Sequence, residues 1–65
     1  MQKVIDIVGV SDESFAKAAD NAIEVASKTV RGMKWARVEE MECKVESNRI
    51  VEYRTALKIY FNVEG

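Results

Sequence analysis

The feature that most constrains this chain is the absence of any internal crosslink in a sequence of only 65 residues. Domains of this size bury only about 60% of the surface of their unfolded chain, and many need disulfides, a metal or partner subunits. The single cysteine, Cys43, has no partner for an internal disulfide, and without histidine it does not make a zinc site. We therefore expect stabilisation by self-association, as a symmetric homo-oligomer.

The charge and the N-terminus exclude several classes of protein. The formal net charge of -1 provides no overall basic excess for nucleic-acid binding. The first six residues already contain Lys3 and Asp6, which is typical of neither a signal peptide nor a membrane span. With a free thiol and no targeting segment, we expect a single domain over residues 1–65 in the cytoplasm, with no membrane or nucleic-acid partner.

The first segment is predicted to be a strand over residues 3–10. It is rich in β-branched residues and apolar on both faces, with Val4 and Val8 on one face and Ile5 and Ile7 on the other. A strand that is apolar on both faces is normally covered on both. In so small a chain, this pattern predicts that another subunit covers one face.

A helix is predicted next, with Ser11 as its N-cap and Gly32 as a left-handed C-cap. Its apolar residues recur at spacings of four, three, four and four, which indicates one helical stripe. The stripe is rich in alanine, so we expect the helix to lie close to a sheet. Its members are Phe15, Ala19, Ala22, Ala26 and Val30.

Two long strands complete the chain. The first, over residues 34–45, changes its alternation after Val38, which predicts a β-bulge near Glu39 and Glu40. Residues 47–48 are predicted to form a short polar turn. The last strand, over residues 50–63, alternates with its odd-numbered residues toward the core.

The predicted fold class is α+β, in the order β-α-β-β. The two long strands form a hairpin, and the right-handed crossover rule places the first strand beside the third. The result is a three-stranded antiparallel sheet packed on one helix, with Ala36 and Val38 on its core face. The opposite face would expose Trp35, Ala56 and Tyr60 to water, and such a patch indicates an interface.

Few residues suggest catalysis, and we expect the chain not to be an enzyme. Without histidine there is no Ser-His-Asp or Cys-His arrangement. Cys43 is interpreted as a small buried hydrophobe rather than a nucleophile. The acidic run Glu39, Glu40 and Glu42 is interpreted as a solvated strand edge, with an acid–base pair or an oxygen-ligand cation site as alternatives. No metal ligand set is identified.

Trp35 is the most informative side chain. It is the only tryptophan, and it lies at the start of a strand between the charged residues Lys34 and Arg37. Two interpretations remain open from the residues alone. The indole is either an anchor in a subunit interface, where tryptophan is enriched, or a platform on which a flat heterocycle stacks.

Four segments together resemble the dodecin family. No single one is diagnostic, but they occur in the right order and span essentially the whole chain. They are residues 9–15, 18–23, 30–38 and 52–59. The resemblance implies the β-α-β-β fold already predicted, assembled as a hollow homododecamer.

The resemblance also implies a function in binding riboflavin or FMN for storage, sequestration and photoprotection. Flavin-binding dodecins carry a tryptophan at the position of Trp35, and two such indoles sandwich a stacked pair of flavin rings across a two-fold axis. The implied site further includes Arg54 at the flavin edge, Glu40 near the ribityl chain, and Arg37 on the face of Trp35. Some members also bind coenzyme A near the three-fold axes, and ions occupy symmetry axes.

Arg54 departs from the family pattern, which has a glutamine at this position. Glutamine both accepts and donates hydrogen bonds, whereas arginine only donates. The flavin ring N–H then loses its partner, at a cost of about 1–3 kcal/mol or one to two decades in affinity. The alternative is a shell with weak or no flavin binding that serves as a structural, ion- or coenzyme-A-binding particle. In that case Arg54 would instead pair with Glu39 or Glu52.

Overall fold

The computed structural model describes residues 1–63 and contains four elements. In chain order they are β1 (Gln2–Ser11), α1 (Phe15–Ala26), β2 (Met33–Glu46) and β3 (Arg49–Asn62). The predicted β-α-β-β order is confirmed, and the predicted strand bounds differ from the observed ones by one residue. The last two residues of the predicted domain lie outside the described residues.

The three strands form one antiparallel sheet in the order β1-β3-β2. The central strand is therefore β3, and β1 and β2 are its edges. This arrangement confirms the prediction that the first strand lies beside the third. Pairing is continuous from Gln2↔Asn62 to Ser11↔Tyr53, so β1 is hydrogen-bonded along its whole length.

The turn and the bulge predicted for the β2–β3 hairpin are both observed. Ser47 and Asn48 have φ angles of 52° and 62°, so both central residues are left-handed, as in a type I′ turn. The register shifts between Val38 and Glu40, which confirms the predicted bulge. Two further shifts, between Met33 and Trp35 and between Lys44 and Val45, were not predicted.

The start of α1 corrects the predicted N-cap. Ser14, not Ser11, is the cap, and its Oγ accepts a hydrogen bond of 2.9 Å from the backbone N–H of Lys17. Ser11 is held in the sheet by its pairing with Tyr53, and its Oγ accepts from the Glu13 N–H at 2.9 Å. The N-cap therefore lies three residues later than predicted, because strand pairing holds Ser11 in β1.

The end of α1 is also earlier than predicted. The helix ends at Ala26, and Ser27 is its C-cap. The N–H groups of Thr29 and Val30 both donate to the Ala26 carbonyl, at 3.1 and 2.8 Å, which closes a turn. Gly32 does have a positive φ of 75°, but it lies directly before β2 rather than at the helix cap.

The core lies between α1 and the β1–β3 half of the sheet. Its centre is fully packed: Ile59 and Ala18 are each 0% exposed. Thr55, a buried polar residue on the core face of β3, donates from Oγ1 to the Phe15 carbonyl at 3.0 Å and so is satisfied. The buried apolar residues are Ala18, Ala22, Ala26, Leu57 and Ile59.

Gly9 allows α1 to lie this close to β1. A Cβ atom added at Gly9 would come within 1.9 Å of the Ala18 carbonyl oxygen and 2.8 Å of the Ala22 Cβ. Both are too short for any side chain. The alanines of the helix and the glycine of the strand therefore form a single close contact between the two elements.

The prediction that β2 buries one face, with Ala36 and Val38, in the core is wrong for a single subunit. Val38 and Met41 are 48% and 61% exposed, and Cys43 is exposed rather than buried. Twelve helical residues span about 18 Å, whereas fourteen strand residues span about 46 Å. The helix packs on β1 and β3, so β2 is left uncovered on both faces.

Replacing Gly9 with alanine should destabilise the fold by about 3 kcal/mol, the upper end of the cost of overpacking. The new methyl group would force α1 away from the sheet. Thermal and urea unfolding at a fixed subunit concentration measure the effect. The matched control is Gly32→Ala, which places a methyl group at positive φ but meets only the Asn62 carbonyl oxygen at 3.3 Å. It should cost about 1 kcal/mol. Equal costs for the two variants would contradict this account of the helix contact.

Candidate functional site

The sheet face opposite α1, called the open face below, carries the predicted site residues. In an antiparallel sheet, directly paired residues point to the same side. Alternate residues of β3, from Arg54 to Tyr60, therefore share the open face with their partners on β1 and β2. The paired sets across β1, β3 and β2 are Val4–Tyr60–Trp35, Asp6–Lys58–Arg37, Val8–Ala56–Glu40 and Val10–Arg54–Glu42.

Trp35 lies in the set nearest the start of β2 and is 74% exposed. Its partner across the strand pair is Tyr60, and Val4 continues the set on β1. Val4, Val8 and Val10 are all exposed as well. A large exposed indole next to Tyr60, on a face whose far edge strand carries exposed valines, is a surface that a ligand or a second subunit can bury.

The next set, Asp6–Lys58–Arg37, is charged, and each of its members takes part in an ion pair. Lys58 Nζ lies 3.0 Å from Asp6 Oδ1, and Arg37 Nε lies 3.7 Å from Glu39 Oε2. The hydrogen bond and the negative charge of Asp6 raise the pKa of Lys58 above its usual value of 10.5. The predicted site residue Arg37 is therefore next to Trp35 along β2 but already has a carboxylate partner.

Arg54 lies at the other end of the open face. It pairs with Glu42 across the strands, six residues along β3 from Tyr60. That separation corresponds to about 20 Å at the rise of a β-strand. The ion pairs within residues 1–63 do not include Arg54, so the alternative salt bridge to Glu39 or Glu52 is absent.

The four predicted site residues thus share one face without converging. Glu40, opposite Ala56, lies between the Arg37 and Arg54 positions. Trp35 and Arg54 do not touch within a subunit. A site that encloses both therefore draws on more than one chain, and this separation was not evident from the sequence.

The acidic run of β2 does not form a preformed metal centre within one subunit. The bulge separates Glu39 from Glu40, and Glu42 lies beside Arg54. In the described part of the chain, no group of three or more acidic, thiol or imidazole side chains is close enough to hold a metal ion. None of the helices among these residues has the length and hydropathy to cross a membrane.

Comparison with known proteins identifies the fold and its family. The family model described as Dodecin matches residues 1–64. The chain belongs to the dodecin family. A curated relative named calcium dodecin, from Mycobacterium tuberculosis, is 38% identical over 61 residues, which cover 94% of this chain and 86% of the relative.

Solved dodecin structures agree with this assignment. The dodecin of Streptomyces davaonensis superposes with a TM-score of 0.94 at 29% identity, covering 100% of this chain and 96% of the other. The calcium dodecin of Mycobacterium tuberculosis superposes with a TM-score of 0.85 at 36% identity, covering 98% and 91%. That protein is described as calcium chelating, with a novel calcium-binding site.

Membership of the dodecin family explains the exposed apolar surface of one subunit. Dodecins form multimeric shells, and this chain leaves apolar side chains uncovered on both faces of β2 and on the open face. The predicted resemblance and the predicted sheet-on-helix fold are confirmed. The roles of Trp35, Arg37, Glu40 and Arg54 stay predictions.

The Asp6–Lys58 pair generates a prediction about pH. Because the pKa of Lys58 is raised, the pair contributes to stability below pH 10.5 and loses this contribution as pH rises through the pKa of Lys58. In Asp6→Asn, Lys58 should titrate at a lower pH than in the parent protein. Heteronuclear NMR of the lysine side chains measures this shift, with Lys17, which pairs with Asp20 at 3.9 Å, as an internal control. An unchanged Lys58 titration in Asp6→Asn would contradict the assigned cause.

Proposed function

We propose that this dodecin binds and sequesters a flavin in a hollow homododecamer. In this proposal, Trp35 indoles from two subunits enclose a stacked pair of flavin rings. The observation that carries the proposal is the indole itself, which is 74% exposed on the open face, in the same set as Tyr60 and Val4. The flavin identity, the subunit number and the storage role rest on the family resemblance.

The exposed indole is suited to a flat heterocycle. An aromatic ring stacked on another gains about 0.5–1.5 kcal/mol beyond its buried area. Tyr60 and Val4 continue the apolar surface beside Trp35 and would exclude water from the edge of the stack. Close contact with an indole lets an excited flavin decay without photochemistry, which is the physical basis of a protective function.

A second subunit is required to complete the site. Tyr60, the strand partner of Trp35, lies about 20 Å from Arg54 along β3. A two-fold axis repeats each residue, so a symmetric pair of subunits can bring the indole of one chain toward the guanidinium of the other. The uncovered faces of β2 supply apolar surface for such an association.

Sequestration, rather than catalysis, fits the available side chains. The chain lacks histidine, and the described residues contain no clustered metal ligands. The carboxylate of Glu39 already pairs with Arg37. Protection of a bound flavin needs only a closed aromatic stack, and the proposed function assigns no reaction to the protein.

The direct test is a fluorescence titration of riboflavin with the parent protein, Trp35→Ala and Trp35→Phe. Flavin emission should be strongly quenched by the parent protein, saturating at about one flavin per subunit, since two indoles enclose two rings. Phenylalanine keeps a smaller ring and should bind more weakly, whereas alanine should abolish quenching. Size-exclusion chromatography of each variant controls for assembly. Unquenched flavin at tens of micromolar parent protein would exclude this function.

Arg54→Gln should strengthen flavin binding about ten- to a hundredfold, because the amide supplies the hydrogen-bond acceptor that arginine lacks. The matched control is Arg49→Gln, which removes a cation from the hairpin end of β3. It should leave the dissociation constant unchanged. The same quenching titration measures both variants. An affinity in Arg54→Gln equal to or below that of the parent protein would show that this side chain is not an edge partner of the ring.

The second candidate is a shell that binds an ion or coenzyme A with little flavin. Two observations favour it: Arg54 has no acceptor for a ring N–H, and the relative that is 38% identical is named for calcium. Calorimetric titration with calcium chloride, beside the riboflavin titration, separates the two candidates. Calcium binding without flavin quenching favours this second function.

A further inference from the structure

The paired residues of the open face include two aromatic side chains, and these are direct neighbours. Trp35 of β2 pairs with Tyr60 of β3. Directly paired residues of antiparallel strands hold their Cβ atoms about 4.5–5.5 Å apart on the same side of the sheet. The other members of the paired sets are aliphatic or charged. A flat ring that lies on the indole of Trp35 is therefore also within reach of the phenol of Tyr60.

The Tyr60 phenol is available to such a ring. The residue is partly exposed, and within residues 1–63 its hydroxyl takes part in none of the side-chain hydrogen bonds. Val4 pairs with Tyr60 from β1, on the side away from Trp35. The phenol is thus flanked by an aliphatic side chain on one side and by the indole on the other.

The second tyrosine of the chain lies on the other side of the sheet. Tyr53 is an odd-numbered residue of β3, like the buried Ile59. Its ring meets that of Phe15 edge-on, with the ring centroids 4.9 Å apart. Along β3 it is about 23 Å from Tyr60 at the rise of a β-strand. Tyr53 is therefore a matched phenol that does not touch a ring lying on Trp35 of the same subunit.

Indole and phenol rings share a redox property that the aliphatic and charged side chains of the open face lack. Both are readily oxidised by one electron, and an excited flavin is a strong one-electron oxidant. Phenylalanine has a ring of the same size as tyrosine but is far harder to oxidise. The rate of electron transfer falls steeply with distance, so a donor has to lie close to the flavin ring.

We propose that Tyr60 is a second electron donor to the excited flavin, acting beside Trp35. This inference rests on the proposed flavin-binding function and names a further residue of its protective mechanism. One electron passes from the phenol to the excited flavin, which gives a phenol radical cation and a flavin radical anion. The same electron then returns, and both rings regain their ground states. No bond forms or breaks, and no outside oxidant or reductant is consumed.

The experiment measures the excited-state lifetime of bound flavin, separately from affinity. Riboflavin is loaded on Trp35→Phe, on the double variant Trp35→Phe, Tyr60→Phe and on the control Trp35→Phe, Tyr53→Phe. Equilibrium dialysis gives the amount bound, and time-resolved fluorescence gives the lifetime. The single variant and the control should both hold a quenched, short-lived flavin, because Tyr60 remains. Loss of the Tyr60 hydroxyl should restore emission, with a lifetime approaching that of free riboflavin.

A second comparison covers the case in which Trp35→Phe binds too weakly to be loaded. The rate constants of donors that act in parallel add, so removing one donor lengthens the flavin lifetime even when the other remains. Tyr60→Phe should therefore lengthen the lifetime of bound riboflavin relative to the parent protein, and Tyr53→Phe should leave it unchanged. Equal lifetimes in Tyr60→Phe and the parent protein would overturn the inference.

The outcomes separate this inference from the proposed function. A bound flavin that is equally dark with and without the Tyr60 hydroxyl, in the Trp35→Phe background, would overturn the role of Tyr60 and leave flavin binding standing. A fully emissive flavin bound to Trp35→Phe would also overturn it, because Trp35 would then be the only donor. Absence of riboflavin binding by the parent protein would remove the proposed function, and this inference with it.

Discussion

The rest of the structure depends on the close contact between Gly9 of β1 and the alanine face of α1. With no side chain on the strand and only methyl groups on the helix, the two backbones come close together, and Leu57 and Ile59 of β3 are buried in the same core. This contact holds the short helix over β1 and β3. It therefore also determines what the helix leaves uncovered, which is β2 beyond Met33 and the open face of the sheet.

The surface that α1 leaves uncovered in one subunit bears on both the assembly of subunits and the candidate site. An edge strand of fourteen residues that is exposed on both faces is not stable as a free surface in water. Dodecins form multimeric shells, in which neighbouring subunits can cover such surface. Trp35 lies on this strand and on the open face, so in the proposed function the site built on its indole lies between subunits. Binding of a ligand there and association of the subunits are consequently linked.

The parts of the fold that follow from periodicity could be predicted from the sequence. The order of the elements, the bulge after Val38 and the turn at residues 47–48 each have a local signal. The predicted helix start was wrong because Ser11 and Ser14 are both suitable N-cap residues. Strand pairing holds Ser11 in β1, so Ser14 becomes the cap. The prediction that one face of β2 is buried in the core was wrong for a single subunit. Alternation shows that a strand has an apolar face, but it does not show which element covers that face.

The candidate site was predictable in its residues and not in its arrangement. Trp35 stands out as a lone tryptophan, and the family resemblance marks Arg54. Their separation depends on the pairing register between β2 and β3, which the bulge alters.

The most direct test of a flavin site between subunits is a crystal structure of the assembled protein grown with riboflavin. We predict paired flavin rings enclosed by Trp35 indoles from two subunits, with Arg54 of a neighbouring chain at the edge of the ring. Trp35 indoles packed against protein, with no flavin between them, would contradict the account and identify the residue as an interface anchor alone.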